Sequence, residues 1–189
     1  MKEEVFKMKI LFASDLHGSM FYCNILMNII QKESPDKIVL LGDILYHGPR
    51  NPLPKEYDPK KVFEALNTLK EKIICVRGNC DSEVDQMVLE FPIMSDYNIL
   101  NIDGINLFLT HGHLYNKDNM PNIGDNDILI HGHTHINTIE KLEKGLYINP
   151  GSISLPKEGQ ENSYMVYQNK EFIIKNLKGE QLKSLIANE

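Results

Sequence analysis

The sequence predicts an α/β fold in which two sheets pack face to face with helices outside them. Short apolar runs rich in β-branched residues recur along the chain, and each stops at a turn, as buried strands do. Helical patterns separate the first strands, whereas strands dominate the tail. An early parallel sheet needs cover on both faces, and hairpins late in the chain can supply the second layer.

Eight runs are predicted as strands. They span residues 9–13, 37–41, 73–76, 105–109, 128–130, 146–148, 164–167 and 172–174. The last two flank a turn at 168–170. We expect them to form a β-hairpin, because no helical pattern lies between them.

Two helices are predicted between the first three strands, each with apolar residues at a spacing of about 3.6. The apolar faces are Ile25, Leu26, Ile29 and Ile30 in the first helix and Val62, Phe63, Leu66 and Leu69 in the second. Asp58 followed by Pro59 predicts that the second helix begins with an N-cap and a proline at its first position.

Length and composition indicate one domain over residues 1–189. With 42% hydrophobic and 24% charged residues, the chain can bury a core of its own. No stretch approaches the roughly 20 apolar residues that span a bilayer, and the first residues place acids where a secretory signal has basic and then apolar ones. We therefore expect a cytoplasmic protein with no membrane partner, whose three cysteines form no disulfides.

The charge pattern limits the class of ligand. The net charge is -6 at pH 7, and no run of the sequence is rich in lysine and arginine. Broad binding of nucleic acids or anionic membranes needs a basic surface, so the sequence argues against both. A small substrate, or a short end of a larger one, fits better.

Five short motifs that carry metal-ligating side chains follow predicted strands. They are Asp15-Leu16-His17, Gly42-Asp43, Gly78-Asn79-Cys80-Asp81, His111-Gly112-His113 and Gly132-His133-Thr134-His135. Any one of them alone is more often a turn or a cap. Together at the carboxyl edge of a sheet they indicate a metal site, because open α/β folds bind their ligands there.

The types of ligand indicate the class of ion. Carboxylate, imidazole and amide oxygen, with no thiolate required, suit Mn²⁺, Fe²⁺, Co²⁺, Ni²⁺ or Zn²⁺ rather than a structural zinc site. Alternate residues of an extended segment point the same way, so Asp15 with His17, and His133 with His135, are each expected to reach one locus. Asp43 is the candidate carboxylate that bridges two ions, which lie about 3.5–4 Å apart in two-metal enzymes.

These motifs resemble the calcineurin-like metallophosphoesterase superfamily, whose pattern is D-x-H, G-D, G-N-H-D/E, H and G-H-x-H. The segments HGPRN at 47–51, RGNCDSEVDQM at 77–87, FLTHGHL at 108–114 and NPGS at 149–152 are similar to the bacterial YfcE-type phosphodiesterases in particular. The resemblance implies a four-layer α/β/β/α sandwich of two mixed sheets flanked by helices. It also implies a dinuclear centre of two divalent metal ions, manganese foremost.

The resemblance implies a role for each ligand. Its two ions would be held, respectively, by Asp15, His17, Asp43 and His135, and by Asp43, Asn79, His111 and His133. The implied reaction is in-line attack on a phosphodiester by a hydroxide that bridges the ions. Asp43, Asn79 and His111 are the implied catalytic residues, and Asn79 would also contact the substrate phosphate.

Cys80 departs from the pattern of many superfamily members, which have a histidine there that protonates the leaving group. The YfcE-type enzymes share the cysteine, so the change need not mean inactivity. A thiol replaces imidazole poorly in this role. We therefore place Cys80 among the substrate-binding residues and hypothesise a preference for diesters with good leaving groups.

The remaining candidates carry alternative interpretations. His47 and Arg50 either line the phosphate pocket or stabilise their own loop. His113 is predicted to contact the substrate or to support a ligand rather than to bind metal. Asp81 is predicted to cap a helix that begins at Ser82. Structural roles are predicted for Arg77, Cys23, Cys75 and His131.

Two other functions stay open. A protein-binding scaffold resembling the small subunit of the retromer coat would share the fold, although the metal pattern there is incomplete. A phosphomonoesterase would share the metals but needs a pocket for a dianionic terminal phosphate. Substrate specificity is expected to come from the loops at 51–59 and 118–126, and an exposed apolar edge on a helix at 82–91 would support a homodimer.

Overall fold

The computed structural model describes residues 8–187. Residues 1–7, on which the expectation of no secretory signal depends, lie outside the described part. No helix within residues 8–187 has the length and apolar character needed to cross a membrane.

Eleven strands and three α-helices make up the regular structure of these residues. The strands are β1 Ile10–Ala13, β2 Lys37–Leu40, β3 Ile73–Cys75, β4 Tyr97–Ile102, β5 Ile105–Thr110, β6 Ile128–Ile130, β7 Thr138–Lys141, β8 Leu146–Asn149, β9 Ser163–Gln168, β10 Glu171–Asn176 and β11 Gln181–Ile186. The α-helices are α1 Met20–Glu33, α2 Pro59–Asn67 and α3 Glu83–Gln86, and a 3-10 turn spans Lys70–Lys72.

The strands form two mixed sheets. The first has the order β11-β10-β9-β1-β2-β3, and the second has the order β4-β5-β6-β8-β7. Strands β1, β2 and β3 run parallel, as do β5, β6 and β8, while the outer strands are antiparallel. The carboxyl ends of the parallel strands therefore present the loops that follow them, as the motifs predict.

Alternation along β1 explains the layers. Ile10 and Phe12 face the second sheet and join the apolar cluster between the two sheets. Leu11 and Ala13 point the other way, into the cluster that α1 and α2 cover. Because successive side chains of a strand point to opposite faces, a strand buried on both sides must be apolar at every position.

The predicted fold class is confirmed, and few helices flank the two sheets. On the outer face of the second sheet, Phe108, Leu129 and Tyr147 pack against Ile123 and Tyr115 of the loop that follows β5. The predicted specificity loop 118–126 therefore lies largely on this face.

The hairpin and the start of α2 agree with the sequence. Asn169 and Lys170 join β9 to β10 and both have positive φ, at 55° and 65°, which matches the twist of a two-residue hairpin turn. The Asp58 side chain accepts a hydrogen bond from the backbone N–H of Lys61, and Pro59 is the first helical residue.

The helix predicted at 82–91 is wrong in extent, because α3 ends at Gln86. The Gln86 side chain donates to the carbonyls of Leu89 and Phe91, which turns the chain inward and buries both apolar residues. The exposed apolar edge is thereby reduced to Val84 and Met87, which are 69% and 83% exposed.

Glu33 at the end of α1 gives the fold a pH-dependent contribution to its stability. Its side chain is 12% exposed and lies 2.6 Å from Lys9 Nζ and 2.8 Å from Lys175 Nζ. Burial would raise the pKa of Glu33, but the hydrogen bonds from Lys175 and Lys9 outweigh it and lower the pKa to about 2. A depressed carboxyl pKa stabilises the fold above the unfolded-state value and stops doing so as the pH falls through the folded-state value.

We expect Glu33→Gln to lower the free energy of unfolding by about 3 kcal/mol at pH 7, because each pKa unit corresponds to about 1.4 kcal/mol. The deficit should shrink by at least about half at pH 3, because the carboxyl of the unfolded chain, with its ordinary pKa of 4.5, is already protonated there while that of the folded chain is still largely ionised. Urea unfolding of the metal-free chain at both pH values measures it. The control is Glu90→Gln, whose pair with Lys70 is exposed and should cost under about 1 kcal/mol. Equal deficits at pH 7 and pH 3 would contradict this account.

Candidate metal centre

The predicted ligands lie on loops that leave the carboxyl ends of parallel strands. Asp15 follows β1 and Asp43 follows β2, both in the first sheet. His111 follows β5 and His133 follows β6 in the second sheet. The two sheets thus contribute ligands to one buried locus at their shared edge.

Left-handed backbone conformations aim five of these side chains. The φ angles are 57° at Asp15, 52° at His17, 55° at Asp43, 64° at His133 and 62° at His135. The predicted extended segments are therefore wrong here, since the chain turns as soon as each strand ends. Non-glycine residues adopt this region at an energetic cost that concentrates at functional sites.

One group of ligand atoms surrounds Asp15. The Oδ1 atom of Asp15 lies 3.2 Å from His135 Nε2 and 3.8 Å from His17 Nε2. The two imidazole nitrogens are themselves 3.4 Å apart. All three residues are buried, so the group is closed to bulk water on most sides.

A second group surrounds His111. Its Nε2 atom lies 3.2 Å from Asn79 Oδ1, 3.2 Å from His133 Nδ1 and 3.4 Å from Asp43 Oδ2. The same Asp43 Oδ2 is 3.7 Å from His17 Nε2 of the first group.

The two carboxylate oxygens of Asp43 make different contacts. Its Oδ1 accepts a hydrogen bond of 2.8 Å from the backbone N–H of Cys80. That leaves Oδ2 between the two groups, where a bridging carboxylate would act. Gly42 and Gly78 allow this close approach: a Cβ on Gly42 would lie 2.5 Å from the backbone nitrogen of Gly78.

Backbone carbonyls fix which nitrogen of three histidines carries the proton. The Nδ1 atoms of His17, His111 and His135 lie 2.8, 2.6 and 2.6 Å from the carbonyls of Tyr46, Leu41 and Leu155. A carbonyl only accepts, so each Nδ1 donates and each neutral ring presents the lone pair of Nε2 to the site.

The resulting cluster consists of acceptors that face acceptors. Imidazole lone pairs and carboxylate oxygens oppose one another at 3.2–3.8 Å. Asp15 Oδ1 is buried and makes no hydrogen bond within the described part of the chain. Divalent cations would satisfy both features, because neutral imidazole and carboxylate are their ligands. The donor set therefore fits a metal centre.

The electrostatics of the metal-free chain agree with a site built for positive charge. Burial would lower the pKa of His111, but the hydrogen bond to Asp43 and the charges of Asp15 and Asp43 raise it to about 9. His133 has its pKa lowered to about 4 by burial and by the charge of His111. In the metal-free chain the buried carboxylates thus favour positive charge on His111.

Comparison with known proteins identifies the family. Residues 8–171 match the model of the calcineurin-like phosphoesterase superfamily domain. The chain belongs to this superfamily. It is 46% identical over 162 residues to phosphodiesterase YfcE of Escherichia coli strain K12, covering 86% of this chain and 88% of that protein.

Two solved structures share the fold of this chain. The structure described as Yfce, a phosphoesterase from E. coli, superposes with a TM-score of 0.93 at 42% identity, over 96% of this chain and 100% of that chain. Vacuolar protein sorting 29 from Cryptosporidium parvum superposes with a TM-score of 0.62 at 17% identity, over 96% of this chain and 99% of that chain. At that identity the second match supports the fold alone.

A cavity of about 420 Å³ opens beside the ligands Asp43, His133 and His135 of this phosphoesterase. Three of the predicted substrate-binding residues line it, namely Arg50, Asn79 and Cys80. Three further polar residues that were not predicted as site residues also line it, namely Asn51, Thr134 and Lys157.

Two predicted substrate-binding residues do not line this cavity. The His47 ring packs edge-on against Tyr46 and Tyr57, with ring centroids 4.8 and 5.2 Å away. The His113 ring lies 5.4 Å from that of His111 and is not among the side chains that line the cavity. The interpretation of His47 as a loop-stabilising residue is the one that these contacts favour.

Asp81 does not cap α3, so that prediction is wrong. Ser82 and Asp85 form the capping box of α3 themselves. The Asp81 carboxylate is 3% exposed and accepts from the backbone N–H groups of Gly78 at 2.7 Å, Asp43 at 2.8 Å and Ile44 at 2.9 Å. It ties the loop after β2 to the loop after β3, and so holds Asp43 and Asn79 in register.

The buried positions of Cys23, Cys75 and His131 agree with the structural roles predicted for them. Cys23 and Cys75 are buried free cysteines. His131 is 2% exposed and stacks on Tyr147, with ring centroids 4.5 Å apart. Arg77 contributes a backbone hydrogen bond of 2.8 Å to the carbonyl of Ser95.

Proposed function

We propose that this calcineurin-like phosphoesterase is a metal-dependent phosphodiesterase that acts on small phosphodiesters with two divalent ions, manganese foremost. The opposed lone pairs of His17, His111, His135, Asp15 and Asp43 carry the proposal, because divalent cations bound between them make that arrangement favourable. The identity with a phosphodiesterase over most of both chains supports the substrate class.

The ligands of the site fall into two groups, one for each proposed ion. Asp15, His17 and His135 would hold one ion, Asn79, His111 and His133 the other, and Asp43 Oδ2 both. When bound, such a pair of ions activates water and stabilises charge on phosphoryl oxygens. The Asn79 amide offers Oδ1 towards His111, and its Nδ2 donates one hydrogen to Cys80 Sγ at 3.3 Å. The second hydrogen of Nδ2 can then be donated to a phosphoryl oxygen at the cavity.

The comparison of two nitrophenyl esters tests this function. With added Mn²⁺, the chain is expected to hydrolyse bis-nitrophenyl phosphate much faster than nitrophenyl phosphate. A protein-binding scaffold would hydrolyse neither ester, and a phosphomonoesterase would prefer the second. The set of candidate metal ligands is complete in this chain, which favours an enzyme over a protein-binding scaffold. A chelator should abolish the activity, and Mn²⁺ should restore it.

Cys80 supports a preference for good leaving groups. Burial and the charge of Asp43 raise the pKa of its thiol to about 12, so the group is a weak proton donor. We expect Cys80→His to raise kcat/KM for diesters with alkyl leaving groups by about tenfold or more, and to change little for nitrophenyl esters. Cys80→Ser is the matched control, because it supplies no imidazole. If histidine gave no gain on alkyl leaving groups, this role would be excluded.

Location and assembly complete the proposal. We place the chain in the cytoplasm, where reduced Cys23, Cys75 and Cys80 would persist. Val84 and Met87 are the exposed apolar side chains of the segment 82–91 that was predicted to support a homodimer. Light scattering of the wild type and of Met87→Ser would test that contact.

A further inference from the structure

Two cationic side chains line the cavity beside the metal centre in addition to the proposed metal ligands. Arg50 and Lys157 line it, and Asp43 is the one acidic residue among the described residues that do so. Both oxygens of Asp43 are already engaged, Oδ1 by the backbone N–H of Cys80 and Oδ2 between the two groups of proposed metal ligands. The part of the cavity away from the ligands therefore has two cations and no carboxylate to neutralise them.

Lys157 is held at the cavity by the metal-ligand segment itself. Its backbone N–H donates to the carbonyl of His135 at 3.2 Å, and His135 Nδ1 in turn lies 2.6 Å from the carbonyl of Leu155. The Lys157 carbonyl accepts from the backbone N–H of Gln160 at 3.1 Å, which closes a turn. These contacts fix the backbone of Lys157 relative to one metal ligand.

Arg50 belongs to a turn in the segment that follows β2, a strand of the first sheet. The backbone N–H of Asn51 donates to the carbonyl of Gly48 at 3.3 Å, and the Asn51 amide donates to the carbonyl of His47 at 2.9 Å. A Cβ on Gly48 would lie 3.1 Å from Cys80 Sγ, so this turn sits against the wall next to Asn79. Two separate segments thus present one cation each to the same cavity.

The remaining walls limit what those cations bind. Asn51 and Thr134 add uncharged polar groups, and no phenylalanine, tyrosine or tryptophan occurs among the described residues that line the cavity. Its two imidazoles, those of His133 and His135, belong to the proposed metal ligands. Nucleobases are commonly bound by stacking on aromatic rings, and quaternary ammonium groups by aromatic cages. A compact anion, which arginine and lysine bind through charge-assisted hydrogen bonds, matches these walls better.

We propose that Lys157 and Arg50 form a subsite for a second anionic group, so that the preferred substrates are phosphodiesters whose non-leaving alcohol carries a carboxylate or a phosphate. The inference rests on the proposed phosphodiesterase function and specifies its substrate class. Lys157 is then a specificity residue of the same reaction. It contributes to binding of the substrate and takes no part in the chemical step.

Four nitrophenyl diesters with the same leaving group test the subsite, their second alcohol being ethyl, choline, carboxymethyl or phosphoethyl. The wild type should have the higher kcat/KM on the two anionic esters and the lowest on the choline ester. Lys157→Met should lower kcat/KM for the anionic esters by about fivefold through KM, leave the ethyl ester within about twofold, and raise the choline ester. The carboxymethyl and phosphoethyl arms identify which anion is preferred.

Further variants separate the subsite from a structural effect. Lys157→Arg should retain the anion preference, Arg50→Met should lose it, and Lys178→Met, which changes an exposed lysine in the turn after β10, should match the wild type. Equal effects of Lys157→Met on all four esters would overturn the proposal. If the wild type hydrolyses none of the four esters with Mn²⁺, the phosphodiesterase function itself fails. Calorimetric titration with the carboxymethyl ester then tests the subsite alone. Binding that Lys157→Met weakens about fivefold would support the subsite, and binding that this variant leaves unchanged would refute it.

Discussion

Asp43→Asn is expected to lower kcat on bis-nitrophenyl phosphate by about a thousandfold or more, and to reduce the bound metal from two ions to one or none. Asp43 Oδ2 lies 3.7 Å from His17 Nε2 and 3.4 Å from His111 Nε2, so it is the atom that both halves of the site share. Asparagine removes the negative charge that offsets the repulsion between two cations. A loss of several kcal/mol in transition-state stabilisation corresponds to this factor.

The measurement pairs steady-state kinetics with elemental analysis of protein loaded with Mn²⁺. Asp58→Asn is the matched control, because Asp58 is an N-cap where asparagine serves equally well, and both activity and metal content should stay at wild-type values. Thermal melting of both metal-free variants confirms that they fold. If Asp43→Asn hydrolysed the ester as fast as the wild type, the shared-carboxylate site would be refuted.

The strands that position the centre could be predicted because their signals are local. Runs such as 38–41 and 128–130 are apolar throughout, which is what burial on two faces demands, and each is followed directly by a polar motif. Edge strands lack this signal. Strand β4 alternates between exposed and half-buried residues, with Tyr97 and Ile99 facing solvent, and strand β11 is largely exposed. Neither has the composition of a buried strand.

Residues that act through tertiary contacts could not be predicted either. Lys157 stands in no motif and reaches the cavity only because its segment returns to the carbonyl of His135. His47 stands in a motif but turns its ring towards Tyr46 and Tyr57. The paired residues Asp15 and His17 were expected on an extended segment, whereas positive φ angles aim them. Spacing indicated which residue types mattered and left their directions undetermined.

Asp81 illustrates the same limit with a larger consequence. A carboxylate before Ser82 reads as a helix cap, yet its two oxygens serve three backbone N–H groups of the ligand loops. A buried N–H group that loses its partner costs about 1–3 kcal/mol. Three such groups on two loops make Asp81 the support on which the positions of Asp43 and Asn79 depend.

We expect Asp81→Asn to lower the free energy of unfolding by about 3 kcal/mol or more and to weaken metal binding by about 10–100-fold. Asparagine has nearly the same shape, but its amide N–H₂ would oppose a backbone N–H where an oxygen now accepts. Urea unfolding measures the first effect, and calorimetric titration with Mn²⁺ at a temperature where the variant is folded measures the second. Asp36→Asn, which changes an exposed carboxylate bonded to the backbone of Lys9, should leave metal binding unchanged.

The pair of measurements separates support of the ligands from general stability. If Asp81 only stabilised the fold, folded Asp81→Asn would bind Mn²⁺ as tightly as the wild type, and only its unfolding would change. Because Asp81 holds the backbone of Asp43 itself, through a hydrogen bond of 2.8 Å, displacement of that loop moves Oδ2 away from both histidines. Weaker metal binding in a folded variant is therefore the result that this geometry requires.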